Sequence, residues 1–165
     1  MLRIIECWKL NGKIKRCQKC PVLVKNRTHT VQGEGPRRAK VMLIGQAPGA
    51  EEDAKGKPFV GRSGKFLDSI FELYGINRKR LFITSALKCY PPANRAPNYQ
   101  EIKNCRNYLI KQIKVIDPKI VVLMGESAFE SVGKNEVLKN RTVIKTVHPA
   151  SAMRFPSTRK KIMKD

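Results

Sequence analysis

The stretch "KVMLIGQAPGAEEDAKGKPFVGRSGKFLDSIFELYG", residues 40–75, sets the fold. It opens with a short apolar run, Lys40 to Gly45, that ends on a turn residue and reads as a buried strand. It closes with "GKFLDSIFELYG", where Phe66, Leu67, Ile70, Phe71 and Tyr74 recur at helical spacing before Gly75, an amphipathic helix with a glycine stop. Between them, "IGQAPGAEEDAKGKPFVGRSGKFL" (Ile44 to Leu67) holds five glycines, two prolines and three consecutive acids. A strand, a glycine-proline loop and a helix in succession form the first half of a strand-helix-strand unit.

The pattern continues outward. "LFITSAL" (Leu81 to Leu87), "KIVVLMG" (Lys119 to Gly125) and "TVIKTV" (Thr142 to Val147) read as further short, buried strands. "NYQEIKNCRNYLIKQIKVIDP" opens with Asn98 and Glu101 spaced as a capping box, closes at Pro118, and should be the longest helix. Strands alternating with helices predict an α/β fold, a three-layer αβα sandwich around a central four-stranded, mostly parallel sheet. Ligands in such sheets bind beyond the carboxyl ends of the strands. The loops "GQAPG", "KCYPPANRAP", "GESA" and "HPASAMRFP" are therefore the ones to inspect.

With 165 residues, 41% of them apolar, the chain can bury one sizeable core, and residues 1–165 are expected to form one domain with a cysteine-containing N-terminal segment. Lys and Arg number 34 against 13 Asp and Glu, a formal net charge of +21 that points to a polyanionic partner. A lysine-rich surface of the kind found in proteins from hot environments, or a ribosome-associated basic protein, would share that charge. The start, "MLRIIECWKLNGKIKR", mixes Glu and Lys into its apolar residues and lacks the unbroken run of a signal peptide or membrane span. A cytoplasmic, nucleoid-associated monomer with no membrane contact is expected.

Five cysteines fit poorly with a disulfide framework in reducing cytosol. Cys17 and Cys20 form a "CQKC" pair able to grip one metal centre, and Cys89 and Cys105 complete a four-thiolate set suited to zinc or an iron-sulfur cluster. By spacing alone, burial as apolar side chains accounts for Cys89 and Cys105 equally well. Cys7 is left over as a free thiol, His29 reads as a packing or surface residue, and Glu51, Glu52 and Asp53 read as a solvated acidic turn.

In order and spacing, "CQKC", "RTHTVQGEGP", "GQAPGAEEDAKGKPFVGRSGKFL", "ITSALKCYPPANRAP", the helix carrying Cys105, "PKIVVLMG" and "HPASAMRFP" resemble the uracil-DNA glycosylase superfamily, and within it the iron-sulfur, family-four branch. The resemblance runs from about Cys17 to Pro156. It implies a monofunctional hydrolase of base excision repair that cleaves the N-glycosidic bond of uracil in DNA. It implies a structural [4Fe-4S] cluster on Cys17, Cys20, Cys89 and Cys105. The target atom is unreachable inside a duplex, so the base must be flipped into a pocket. The leaving base carries negative charge, which preorganised donors must stabilise.

By the same resemblance His148 stabilises the charge on the uracil O2, and Phe59 stacks on the flipped base. Gly45 and Ala47 flank it in the pocket. Gly61, Arg62 and Ser63 offer donors to phosphate, Met153 is the minor-groove wedge and Arg154 a phosphate contact. Two positions depart from the pattern. Gln46 stands where the family-four branch carries a water-holding Glu, and an amide orients a water without acting as a base; one of Glu51, Glu52 and Asp53 compensating for it is the alternative to their reading as a solvated turn. Ser85 stands where an Asn recognises uracil by a bidentate amide, which brings in other deaminated bases such as hypoxanthine or xanthine. A non-catalytic iron-sulfur DNA-binding protein of the same fold is the reading from a different class. Between Gly125 and His148, and again after Pro156, the chain is shorter than the family pattern, leaving "STRKKIMKD" as a basic tail able to lie along DNA.

Overall fold

The computed structural model describes residues 2–165. Strands β1 (Val41–Gly45), β2 (Leu81–Ser85), β3 (Ile120–Met124) and β4 (Thr142–Thr146) form one sheet in the order β2-β1-β3-β4. Every neighbouring pair is parallel, so the expected mostly parallel sheet is wholly so. Parallel neighbours need crossovers. These are α3 (Ala50–Lys55) with α4 (Arg62–Leu73) after β1, α5 (Tyr99–Ile116) after β2 and α6 (Glu126–Val132) after β3. Helices α1 (Leu2–Lys15) and α2 (Pro21–Asn26) precede the sheet, and α7 (Pro149–Arg154) and α8 (Pro156–Lys164) follow it.

Side-chain alternation along the strands divides the core in two. Met42, Ile44, Phe82, Val121 and Leu123 face one layer, where they meet Leu109, Ile113 and Ile116 of α5 and Ala128 and Val132 of α6. Leu43, Leu81, Ile83 and Met124 face the other, against Leu67 and Phe71 of α4. This is the three-layer sandwich the strand-helix alternation predicts. No described helix is long and apolar enough to cross a membrane.

The capping box of α5 forms as its spacing predicts. Asn98 Oδ1 accepts from Glu101 N at 2.9 Å, and Glu101 Oε2 accepts from Asn98 N at 2.9 Å. Arg95 adds a forked pair to the same carboxylate at 2.9 and 2.6 Å, tying the "NRAPN" loop to the helix start.

Two expectations need correction. The fourth strand is not buried: Thr142, Val143 and Lys145 are exposed, because β4 is a sheet edge with no strand paired beyond it among the described residues. The opposite edge, β2, is buried along its whole length, since Glu34 N and O both bond to Ile83 and cover its outer side. The acids Glu52 and Asp53 are not a solvated turn either. They lie on α3 and are buried, Glu52 under the neighbouring loop and Asp53 as acceptor for Thr28 N and His29 N. The basic tail after Pro156 folds as α8 and packs on α7, with the Thr158 hydroxyl bonded to Ser151 O at 2.9 Å.

Candidate active site

In the strand order β2-β1-β3-β4 the chain leaves β1 toward β2 and then returns across it to β3, so the switch point lies between β1 and β3. A crevice is expected outside their carboxyl ends. The first motif and His148 lie at these ends. The Phe59 ring lies over the last residue of β1 so closely that a β-carbon on Gly45 would stand 2.5 Å from its Cζ. Ser85, closing β2, has its Oγ 3.5 Å from that same point. His148 rests on Gly125, which follows β3 with φ +90°, a conformation that favours glycine. The rings of Phe59 and His148 are 5.9 Å apart at their centroids and tilted by 31°. Residues from four separate segments thus meet in one place.

Phe59 itself is strained, with φ +50°, the left-handed region that non-glycine residues rarely occupy. His148 caps α7: its Nδ1 accepts from Ala150 N at 3.2 Å, which places the proton of the neutral ring on Nε2. Burial pushes the imidazole down to about 4, against the opposing charge of Glu52, so the ring is a neutral donor near pH 7. Gln46 and Gly45 are fixed through their carbonyls, which accept from Leu87 N at 3.1 Å and Ala86 N at 2.9 Å. The loop after β1 is thereby stitched to the segment after β2.

The structure also brings together residues that sequence reasoning did not single out. Lys88 is wholly buried, and its Nζ donates to Thr84 Oγ1 at 2.7 Å and to Ser85 O at 2.6 Å. Gln112 completes that network through Gln32 O and Thr84 Oγ1. Glu52, whose spacing from Gly49 matches a helix start, is bound to backbone N–H groups of two loops. Phe155, 56% exposed, stands beside Met153 at the α7–α8 elbow, with Arg154 exposed between them. Helix α7 packs against α4, whose first turn carries exposed Arg62 and half-buried Ser63. Gly61, the N-cap of α4, donates its own N–H to Glu52 at 2.7 Å, so it shapes the helix start and Arg62 and Ser63 carry the outward donors. His29 is exposed, its Nδ1 2.8 Å from Asp53 O.

Cys89 and Cys105 are buried with Leu23, Leu87 and Ile102, and Cys20 and Ala47 pack against them. Cys17 lies in the turn after α1 and Cys20 caps α2. Arg27 donates to Cys89 Sγ at 3.1 Å and to Cys17 O at 2.8 Å, and Asn104 Nδ2 lies 3.4 Å from Cys20 Sγ. Burial pushes the Cys105 thiol up to about 12 against the nearby Lys88, and raises Cys89 against Arg27. Among the described residues no three His, Cys, Asp or Glu side chains are grouped to hold one metal ion. The four thiols, with N–H donors on two of the sulfurs and Arg27 and Lys88 as nearby cations, are an all-sulfur donor set whose chemistry suits zinc or an iron-sulfur cluster. Cys7 is buried apart from these cysteines, in the layer where α1 packs on α5, and burial raises its thiol.

The class is that of parallel α/β proteins with an aromatic ring and a neutral imidazole facing each other at the sheet's switch point, and cysteines behind the first loop. The uracil DNA glycosylase superfamily model matches residues 32–165, and the chain belongs to that superfamily. It is similar to the type-4 uracil-DNA glycosylase of Pyrobaculum aerophilum, 38% identical over 98% of this chain and 91% of the relative. It is also similar to that of Sulfurisphaera tokodaii, 39% identical over 95% and 80%, and of Thermotoga maritima, 35% identical over 88% and 82%.

Proposed function

We propose that the protein hydrolyses the N-glycosidic bond of uracil in DNA, releasing the free base and leaving an abasic site. The observation that carries this reading is the Phe59–His148 pair at the sheet's switch point, 5.9 Å apart, in a chain related to type-4 uracil-DNA glycosylases. The flipped base stacks on Phe59. His148 Nε2–H donates to the base oxygen that gains charge as the glycosidic electron pair moves onto the ring. Because the imidazole stays neutral, its Nε2–H stabilises the charge as a hydrogen bond and keeps its proton, and the uracil leaves as an anion. Gln46 orients the attacking water on the sugar, and the amide needs only to orient, since an oxocarbenium-like sugar accepts a weak nucleophile. Arg62, Ser63 and Arg154 hold phosphate, and Met153 with Phe155 wedges the vacated step.

Cys17, Cys20, Cys89 and Cys105 would hold the [4Fe-4S] cluster. When bound, it cross-links the N-terminal turn to α5 and to the loop after β2, and through Ala47 it braces the first motif. Ser85 supplies one hydroxyl where a bidentate amide would read uracil alone, which favours a wider range of deaminated bases as a second reading.

The test is a uracil-containing oligonucleotide incubated with enzyme and then alkali, beside hypoxanthine- and xanthine-containing ones. Strand cleavage by the wild type is expected. His148→Ala should lower the rate by about 10²–10³-fold while keeping DNA affinity. Salt-sensitive binding with no abasic product from the wild type would overturn the proposal.

A further inference from the structure

We propose that Glu52 is a positioning residue for base excision, a buried carboxylate that clamps the loop after β1 to the loop carrying Phe59; this rests on the reading that Phe59 receives the base. Glu52 is 8% exposed. Its Oε2 accepts from Gly49 N at 3.1 Å, a bond to its own helix start. Its Oε1 accepts from Val60 N at 2.8 Å and Gly61 N at 2.7 Å, in a different loop. One side chain thus holds both walls of the candidate pocket.

The chain carries 34 basic residues, yet no Lys or Arg forms a salt bridge with this carboxylate among the described residues. Three backbone N–H groups satisfy it instead. A mobile cation would neutralise the charge without fixing any backbone, whereas N–H donors fix the peptide planes that bear them. The two planes held by Oε1 directly follow Phe59, whose φ of +50° is unfavourable for an L-residue and needs outside support. The same bonds set Gly61 as N-cap of α4 and so aim the first turn that carries Arg62 and Ser63. Releasing them lets Phe59 relax toward an ordinary backbone conformation and carries its ring away from Gly45 and His148.

The experiment compares Glu52→Ala, Glu52→Gln, Phe59→Ala and the Glu52→Ala/Phe59→Ala double variant. It measures single-turnover excision of uracil, affinity for an undamaged duplex of the same sequence, thermal melting, and amide exchange at Val60 and Gly61. Glu52→Ala should slow the chemical step by about tenfold or more, with affinity for undamaged duplex within about twofold, because the loss is one of orientation. Glu52→Gln keeps an oxygen for Val60 and Gly61 and should recover most of the rate. In the Phe59→Ala background the Glu52→Ala loss should shrink to about twofold or less, since both act through one ring. A wild-type rate in Glu52→Ala, or losses that multiply fully in the double variant, would overturn the inference. If the wild type excises no base, the functional reading fails, and unchanged Val60 and Gly61 exchange in Glu52→Ala would separately remove the clamp.

Discussion

At the scale of single residues, the site depends on a side chain held in a conformation it would not choose. Phe59 has φ +50° because its neighbours are pinned and its ring is stacked over Gly45. Truncation to alanine removes the ring but leaves a β-carbon in the left-handed region, while glycine tolerates that backbone. Phe59→Gly should therefore be more stable than Phe59→Ala by about 1 kcal/mol, reversing the usual order of the two residues. Chemical denaturation of the two variants measures the difference. The ring's identity was legible from "KPFVG" through family resemblance, but its strain was not. A positive φ follows from tertiary bonds that no local pattern encodes. The acids depart from the pattern for the same reason: "AEEDAK" is polar enough for a solvated turn, and only the loops folding over it make Glu52 and Asp53 acceptors for their backbone N–H groups.

At the scale of elements, two helix starts share a dependence on proton occupancy. His148 caps α7 through an unprotonated Nδ1. Its folded value, about 4, lies below the ordinary 6.5, so the unfolded chain takes up a proton first as pH falls. Its contribution is complete above pH 6.5 and is lost progressively toward pH 4. Glu101 caps α5, and the Arg95 bonds hold its carboxyl below the usual range, so its contribution is lost at still lower pH. Thermal melting should thus fall in two stages on acidification, the upper one vanishing in His148→Ala and the lower one in Glu101→Gln. The α5 cap was readable because Asn98 and Glu101 lie within one turn. Helices α1, α2, α3, α6 and α7 were not legible: α1 because its apolar residues give only a weak helical stripe, the others because they are six or seven residues long, and α6 and α7 begin inside the stretches "GESA" and "HPASAMRFP" that read as loops.

Across the whole molecule, the charge of +21 meets a partner with one phosphate on each strand every few ångströms. The exposed cations Arg62, Arg154, Arg159, Lys160 and Lys164 lie on α4, α7 and α8, the helices that flank the site. DNA affinity should fall steeply with salt, with log K changing by about 0.9 per log salt for each phosphate contacted. Titrations at several salt concentrations give that slope, and Arg62→Gln should lower it by about one contact. The three-layer architecture was readable in the alternation of apolar runs and amphipathic segments. Which edge of the sheet would be bare was not, because burial of a strand depends on what packs outside it. Glu34 covers β2, and nothing comparable covers β4.

The positions of the cysteines also impose an order in time. Cys17 and Cys20 precede β1, whereas Cys89 and Cys105 follow β2, so the first parallel crossover lies between the two halves of the set. If these four hold the cluster, it cannot close on a nascent chain that has only its amino-terminal pair. Four-cysteine ligation therefore waits for synthesis to pass residue 105, and because metal binding couples to folding, it would tie the segment before β1 to the segments after β2 and stabilise the crossover between them.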